Sequence, residues 1–189
     1  MNYRLFYIIL IISVVTSCSD TNNIPSIQSV NKDLVLVNGV LELNKVPFSG
    51  RLISNFFNGN LKSEMFYKDG KKNGSEKYWL ENGDLAQERF YTNGLKTGIH
   101  SAWWNLETPK FVYHFNNQGE FDGEVKEWYR SGQLYMHFNY KKGKESGSQR
   151  LWKIDGSVKA NYEVVNGERF GLIGLKKCYQ VTTGSDVVK

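Results

Sequence analysis

The stretch Lys126-Glu-Trp-Tyr-Arg-Ser-Gly-Gln-Leu-Tyr-Met-His-Phe138 places two neighbouring aromatic residues before a Ser-Gly pair and then alternates apolar with polar residues. Alternation with a period of two is typical of a β-strand that has one apolar face. A Ser-Gly pair tolerates the positive φ angles of a tight hairpin turn. The stretch therefore predicts two antiparallel strands joined by a turn at Ser131-Gly132.

The same hairpin recurs along the chain. Its period is marked by glycines spaced 24, 24, 25, 24 and 24 residues apart, here called the start glycines: Gly50, Gly74, Gly98, Gly123, Gly147 and Gly171. A second glycine follows nine residues later in four units: Gly59, Gly83, Gly132 and Gly156. A tryptophan stands five residues after four of the start glycines: Trp79, Trp103, Trp128 and Trp152. Self-similarity at a fixed period indicates a repeat architecture.

The repeats predict an all-β chain, folded as an extended antiparallel meander of tandem hairpins of about 24 residues each. An isolated hairpin is marginally stable in water, so consecutive units must pair, and the ends of the array need covering strands. We expect N-terminal capping strands in residues 30–49, five hairpin repeats in residues 50–170, and a C-terminal capping strand and tail in residues 171–189.

We interpret the recurring glycines and tryptophans as structural. Gly83, Gly132 and Gly156 are expected at turn positions that need a positive φ. The four repeated tryptophans are expected to be buried packing residues between units. The alternative is that the large residue after each tryptophan, which faces the other side of the sheet, forms an aromatic strip that binds a glycan or a peptide.

The unit that begins at Gly98 departs from the pattern. Glu107 replaces the turn glycine, and Pro109 stands where other units have Leu or Val. Because Pro has no amide hydrogen for the ladder, we expect this hairpin to end early and to carry a longer, protruding loop beside an exposed Trp104. Irregularities in repeat arrays often map to binding loops, with drift as the alternative. The predicted binding residues are Trp104, Asn105, Leu106, Glu107, Pro109 and Lys110.

The first residues have the pattern of an export signal. Arg4 precedes an apolar run over residues 5–15, which is shorter than the roughly 20 residues that span a bilayer. Val15-Thr16-Ser17-Cys18 resembles a bacterial lipobox, in which the cysteine is acylated and becomes the first residue of the mature protein. We therefore predict a lipoprotein signal peptide in residues 1–17, lipidation at Cys18 and a lipidated tether in residues 18–29. An ordinary signal peptide or an uncleaved anchor is the alternative.

Lipidation predicts the location of the protein. Each buried methylene of an acyl chain such as palmitate contributes about 0.8 kcal/mol, so two or three chains hold a protein firmly on a membrane. Ser19 follows the cysteine in place of Asp, which is compatible with onward transport to the outer membrane. We expect an exported, membrane-anchored lipoprotein, at the outer membrane or cell surface and not at the inner membrane.

Composition and residue spacing argue against several functions. The net charge of +5 is spread along the chain, without the dense basic face of a nucleic-acid binder. His100, His114 and His137 occupy different positions in their units, so we expect no metal site and no cofactor. Without a nucleophile elbow or a phosphate-binding loop, we expect no enzyme; one that acts on a cell-wall or glycan substrate is the weaker alternative. Cys178 is expected to be a small core residue.

Two predicted turns at one edge of the meander are rich in lysine. Lys68, Lys71 and Lys72 flank one, and the other has Lys141, Lys142 and Lys144. Each lysine near an anionic bilayer contributes up to about 1 kcal/mol of attraction. The simpler interpretation is that these charges keep the turns soluble and block edge pairing.

The unit Gly-x4-Trp/Tyr-Tyr-x2-Gly-x-Leu resembles the MORN repeat, and more closely its bacterial variant in the YwqK-type antitoxin family. The resemblance covers about residues 30–181 and includes Val46-Pro-Phe-Ser-Gly50, which is similar to the family's opening Pro-Phe-Thr-Gly. It implies membrane-proximal scaffolding and protein or lipid binding, and it carries over no catalytic residues.

These observations together predict a membrane-anchored, non-catalytic binding or scaffolding repeat protein of the bacterial envelope. Its expected partners are the membrane, through the lipid, and a protein, glycan or lipid. The alternative is an antitoxin-like immunity protein that neutralises a toxin by direct binding.

Overall fold

The computed structural model describes residues 24–174 of the 189-residue chain. The predicted signal peptide, Cys18 and Cys178 lie outside this range. The described part is built of strands joined by turns, as the repeats predicted. Between Ile24 and Gly174 there is no helix with the length and apolarity needed to cross a membrane.

Sixteen strands lie in the described range. In chain order they are β1 (Ser26–Gln28), β2 (Leu34–Val37), β3 (Val40–Leu43), β4 (Val46–Pro47), β5 (Gly50–Asn55), β6 (Leu61–Lys68), β7 (Lys71–Trp79), β8 (Leu85–Thr92), β9 (Leu95–Trp103), β10 (Pro109–Phe115), β11 (Phe121–Trp128), β12 (Leu134–Lys141), β13 (Lys144–Glu145), β14 (Gly147–Trp152), β15 (Val158–Val165) and β16 (Glu168–Leu172).

Thirteen of these strands form one sheet in which β5 to β16 follow one another in chain order. Each pairs antiparallel with the next, and the short β13 pairs with β12 beside β14. The prediction of an all-β meander of tandem hairpins is confirmed. Within residues 24–174 no second layer covers either broad face of this sheet, because each strand contacts chiefly its hydrogen-bonded neighbours.

The N-terminal end of the array differs from the expected capping arrangement. Residues 34–47 form a separate three-stranded sheet, β2-β3-β4, and do not extend the meander. The strand beside β5 is β1, which lies in the predicted tether and pairs parallel to it. The small sheet is attached to a turn: Leu41 donates a 2.8 Å hydrogen bond to the Gly70 carbonyl, and Gly70 donates one of 2.8 Å to Phe48.

Within each unit the hairpin turn lies next to the repeated tryptophan, so we call this side of the sheet the tryptophan edge. Trp79 is the direct cross-strand partner of Leu85, and Trp128 that of Leu134. In the second unit Leu80 donates to the Asp84 carbonyl, and Gly83 closes the turn by donating to the Leu80 carbonyl. Gly83 has φ +92°, which explains why this position is glycine.

The turns between units lie on the opposite side, which we call the basic edge. Most are two-residue turns in which both residues have positive φ, such as Asn93-Gly94 with +50° and +84°. This geometry matches the twist of the flanking strands. The Gly94 amide donates a 2.8 Å hydrogen bond to the Lys72 carbonyl, and Gly143 does the same to Phe121. The Asn93-Gly94 and Lys142-Gly143 turns are thereby tied to the unit before them.

The third unit does not carry the longer, protruding loop that its sequence suggested. Trp104 donates to the Thr108 carbonyl at 2.8 Å, so the loop has the same length as in the second unit. Compared with the second unit, the tight turn inside this loop begins one residue later. The Thr108 amide donates to the Asn105 carbonyl and also to the Asn105 side-chain oxygen. Glu107 is not among the described residues with positive φ, so this position needs no glycine.

The extra residue of the third unit lies at the basic edge. The turn between β10 and β11 spans residues 116–120, where most other units use two residues. Asn116 organises it: its side-chain oxygen accepts hydrogen bonds from the amides of Gln118 and Glu120. The spacing of 25 residues between Gly98 and Gly123 therefore reflects this turn and not the one at Trp104.

Three of the start glycines, Gly74, Gly98 and Gly123, lie inside strands at bulges, whereas Gly50 and Gly147 are the first residues of β5 and β14. Between β6 and β7 the pairing passes from Met65 with Glu76 to Tyr67 with Lys72, so β7 contributes extra residues around Gly74. Gly74 has φ +109°, a left-handed value that glycine adopts at little cost. Across the hairpin within its own unit, each of four start glycines faces an aromatic ring: Tyr67, Tyr91, Phe115 and Tyr140.

The two faces of the sheet have different compositions. The aromatic face carries the fully buried apolar residues of the array: Tyr91, Ala102, Phe111, Val125, Ala160, Tyr162 and Val164. The charged face carries cross-strand ion pairs, including Lys77 with Glu88 and Arg51 with Glu64. The repeated tryptophans were expected to be buried but are half-buried, because the sheet is a single layer and its outermost side chains keep one side in solvent.

The start glycine and the turn glycine should respond differently to substitution by alanine. In Gly83→Ala only backbone strain opposes the new methyl group, whereas in Gly123→Ala the added Cβ also lies 3.2 Å from the Cβ of His114. We expect losses of about 1–2 kcal/mol for Gly83→Ala and about 2–4 kcal/mol for Gly123→Ala, measured by chemical denaturation. Equal losses would show that the crowding at Gly123 is relieved.

Candidate binding surface

One column of side chains, two residues after each start glycine, is the most buried part of the aromatic face. It contains Leu52, Glu76, His100, Val125 and Gln149. Glu76 is 1 % exposed, His100 2 % and Gln149 0 %. Three polar groups in the deepest column of a single-layer sheet require hydrogen-bond partners, because an unpaired buried polar group costs about 1–3 kcal/mol.

His100 and Gln149 bond to the strand across the bulge. The Gln149 amide accepts a 3.1 Å hydrogen bond from the Asn139 backbone and donates one of 2.8 Å to the Asn139 carbonyl, so the side chain replaces a ladder partner. His100 Nε2 lies 2.8 Å from the Phe90 carbonyl oxygen. A carbonyl oxygen only accepts, so Nε2 carries the hydrogen. Phe90 and Asn139 hold equivalent positions in their units.

Glu76 uses a different set of partners, since a carboxylate cannot donate to a carbonyl. Its oxygens accept hydrogen bonds from Lys72, from the Tyr91 hydroxyl at 2.9 Å and from the Tyr78 hydroxyl at 3.2 Å. A guanidinium nitrogen of Arg89 lies 4.0 Å away. Glu76 is therefore held by donors from β7 and β8 and cross-links the two strands of the second unit.

These contacts shift the pKa values of the cluster. Burial by itself would raise the pKa of Glu76, but the hydrogen bond and charge of Lys72, with the bonds from Tyr91 and Tyr78, hold it below the usual value. Burial and the nearby Glu76 carboxylate raise the pKa of Tyr78 to about 12. The cluster is thus an ionised carboxylate surrounded by neutral phenols and cations near neutral pH.

A second row of side chains on the aromatic face lies closer to the basic edge. In it, the residue two positions before a start glycine packs against the aromatic residue seventeen positions after that glycine. Lys72 Nζ lies 5.0 Å from the centre of the Tyr91 ring, and Lys96 Nζ lies 5.3 Å from that of Phe115. In other units an aromatic ring takes this place, as in Phe121 with Tyr140 at 5.2 Å. Both pairings contribute roughly 0.5–1.5 kcal/mol.

Side chains at the centre of the aromatic face connect the buried column with this second row. The Tyr113 hydroxyl donates a 2.5 Å hydrogen bond to Glu127, and burial together with this carboxylate raises the pKa of Tyr113. The guanidinium of Arg89 lies 5.9 Å from the Phe111 ring and donates to Gln87 at 3.3 Å. The polar side chains here are hydrogen-bonded to one another, and among the described residues no buried side-chain nitrogen or oxygen lacks a partner.

The predicted binding residues divide into two groups. Trp104 is half-buried: its indole donates a 3.1 Å hydrogen bond to the Trp128 carbonyl, and Lys110 Nζ lies 4.4 Å from its ring centre. Tyr129 makes the equivalent bond to the Trp152 carbonyl one unit later. The expectation of an exposed Trp104 is therefore wrong, because this side chain links neighbouring units.

The remaining members of the predicted site line the tryptophan edge. Asn105 holds the turn through its side-chain oxygen, and Pro109 pairs with Trp103. Leu106 is 68 % exposed and, with Leu85 and Trp103, lines a shallow groove of about 210 Å³. Glu107 and Lys110 are exposed. In the part of the chain that the structure describes, no three His, Cys, Asp or Glu side chains form a group that fits a metal ion.

Comparison with known families agrees with this repeat geometry. The MORN repeat variant family matches residues 49–69, 72–93 and 121–142, which correspond to the first, second and fourth hairpins. Three of the five hairpins thus match the MORN repeat variant. The third and fifth units lie outside the matched ranges, and the third is the one with the shifted turn and the extra residue at the basic edge. No curated protein matches the chain.

Sequence reasoning missed the buried column and the row of stacked cations. Both sets of residues stand at a fixed distance from the start glycines. Two residues after a start glycine come Glu76, His100 and Gln149, and two residues before one come Lys72 and Lys96. The variety of residue types hid the pattern. Only the bulge explains why polar side chains are needed there.

The burial of His100 predicts a loss of stability in mild acid. Burial and the nearby cations Arg89 and Lys96 lower its pKa, so below about pH 6.5 the unfolded chain binds a proton that the folded chain does not. As the pH is lowered through this range, the free energy of unfolding should therefore decrease. His100 contributes up to about 1.4 kcal/mol of this decrease per pH unit. His100→Gln, which copies Gln149, should remove that part of the slope, measured as unfolding free energy between pH 7.5 and 5. An unchanged slope would contradict the assignment.

Proposed function

We propose that the protein is a non-catalytic binding or scaffolding protein of the bacterial envelope, held on a membrane by acyl chains on Cys18. The observation that carries the binding role is the single-layer array itself. It displays two broad faces and two long edges of one sheet, and the most buried polar groups, Glu76, His100 and Gln149, are engaged in internal hydrogen bonds.

The proposed partner site lies on the tryptophan edge. Its turn tips carry exposed apolar side chains in four of the five units: Phe57, Leu80, Leu106 and Ile154. Hairpin turns of a soluble protein are usually polar, and a row of exposed apolar side chains is typical of an interaction surface. The groove of Leu85, Trp103 and Leu106 is the apolar recess that a partner side chain would fill.

The anchoring proposal predicts the behaviour of a Cys18→Ala variant. Without acyl chains the protein should leave the detergent-extracted membrane fraction and appear as a soluble or unprocessed form, because the mildly basic repeats alone hold a membrane weakly. Fractionation of cells at low and high salt measures this. Membrane association that persists at high salt would mean that the apolar run over residues 5–15 is the anchor.

The partner site can be tested with a turn exchange that preserves length. Replacing residues 105–108 by Glu-Asn-Gly-Asp, the sequence of residues 81–84, should keep the fold because both loops close with the same hydrogen bond. It removes Leu106 and should reduce partner capture from native membranes roughly tenfold, the scale of one buried leucine. Leu36→Ser, at 69 % exposure on the basic-edge side, is the matched control and should leave capture intact. Full capture by the exchanged variant would place the contact elsewhere.

A further inference from the structure

One row of cross-strand partners crosses the charged face from β7 to β15. Its members are direct neighbours in register: Lys77, Glu88, Ser101, Val112, Lys126, His137, Arg150 and Asn161. The two lysines are paired, because Lys77 lies 3.0 Å from Glu88 and Lys126 lies 2.8 Å from Glu124. Arg150 is exposed, and the ion pairs within residues 24–174 do not include it.

A comparison of the second and fifth units explains why Arg150 is unpaired there. Lys77 and Arg150 both stand three residues after a start glycine, and Glu88 and Asn161 both stand fourteen residues after it. The cation and the later residue are direct cross-strand partners in both units. The fifth unit thus has a neutral amide where the second unit has the carboxylate that pairs with its cation. A guanidinium in this situation can bind a carboxylate of a ligand through two parallel hydrogen bonds.

Arg150 lies in a shallow recess of about 220 Å³, whose lining also includes Trp152, Val158 and Asn161. Arg150 and Trp152 are two residues apart on β14, so their side chains point to the same side of the sheet. Trp152 is half-buried and Val158 is 49 % exposed, so the recess has an apolar wall beside the guanidinium. Most ligand pockets measure about 300–1,000 Å³, and this recess is therefore the size for a single ring.

We propose that this recess binds a sugar ring that carries a carboxylate, such as a uronic acid. The carboxylate pairs with the Arg150 guanidinium. The apolar face of the ring packs on the Trp152 indole, which offers a large flat surface. The Asn161 amide, which has both donors and an acceptor, exchanges hydrogen bonds with the sugar hydroxyls.

An acidic peptide fits this recess less well than an acidic sugar. An extended peptide gains affinity from backbone hydrogen bonds to an exposed sheet edge. The recess lies over β14 and β15, which pair with each other and are flanked by β12 and β16, so their backbones do not form an exposed edge. Recognition here must come from side chains, which suits a ligand with hydroxyls and an apolar ring face.

This recess is separate from the partner site on the tryptophan edge and shares none of its residues. Sugar binding there needs no acyl group at Cys18. It rests on the proposed envelope location only for the source of the sugar, so the recess can be tested with purified protein and without a membrane.

The chain from Ser19 to Lys189 can be titrated with two small sugars while the Trp152 indole N–H is followed by NMR. Methyl β-D-glucuronide should bind with a dissociation constant on the order of 1 mM, the scale for a ligand of this size. Methyl β-D-glucoside, which has the same ring without the carboxylate, should bind at least about tenfold more weakly, since a hydrogen bond to a charged group contributes that much.

Three variants separate the contributions. Arg150→Gln should weaken glucuronide binding at least about tenfold and leave thermal unfolding unchanged, because the side chain is exposed and has no ion pair in the described range. Asn161→Glu copies Glu88 of the second unit, and its carboxylate should occupy Arg150 and weaken glucuronide binding to the same extent. Lys77→Gln is the matched control: it removes a cation of the same row that already has a partner, and binding should change less than about twofold.

Several results would overturn the proposal. The first is an absence of glucuronide binding, and the second is unchanged binding in Arg150→Gln or in Asn161→Glu. Acetate that binds as tightly as the glucuronide would show that the ring contributes nothing, and a blocked Ala-Asp-Ala peptide that binds as tightly would assign the recess to acidic peptides. None of these results bears on the Cys18 anchor or on the exchange of residues 105–108, which are measured in membranes.

Discussion

The fold depends on a backbone constraint that recurs every 24 or 25 residues, a glycine at positive φ inside a strand or at its first residue. At Gly74, Gly98 and Gly123 the resulting bulge shifts the register between one unit and the next. The bulge breaks the regular ladder and leaves backbone groups of the facing strand to be satisfied. In two units the side chain two residues later supplies the missing partner, and in each of four units a ring covers the glycine. Packing, hydrogen bonding and repeat length all follow from this position.

The architecture was predictable from the sequence because its signals are local. Asn93-Gly94 indicates a two-residue turn, and the alternation from Leu134 to Tyr140 indicates a strand with one apolar face. Both depend on local backbone and side-chain preferences, which can be recognised from a single sequence. Residues 30–49 were expected to cap the array, and the sequence did not show that residues 34–47 form a separate small sheet, because its strands have the same pattern as the others and only its attachment to the Gly70 turn sets it apart.

The candidate site was harder to predict because it depends on contacts between units. Trp104 looked exposed from alternation alone, and its hydrogen bond to Trp128, 24 residues away, became visible only in the fold. Pro109 suggested a broken hairpin, yet the loop keeps its length because Asn105 starts the turn one residue later. Leu106 was correctly placed in an exposed turn. Among the predicted binding residues it is the one whose side chain lies free in solvent beside an apolar recess.

The direction of the strands has a consequence for how such a protein changes in size. Units add along the hydrogen-bonding direction, whereas the strands run between the two edges. Adding or removing a repeat therefore lengthens or shortens the sheet by about 10 Å and leaves the distance between the two edges unchanged. The distance between the edges is set by strands of six to nine residues, about 20–30 Å. The number of repeats therefore sets the length of both edges, and the tryptophan edge stays at a constant distance from the basic edge.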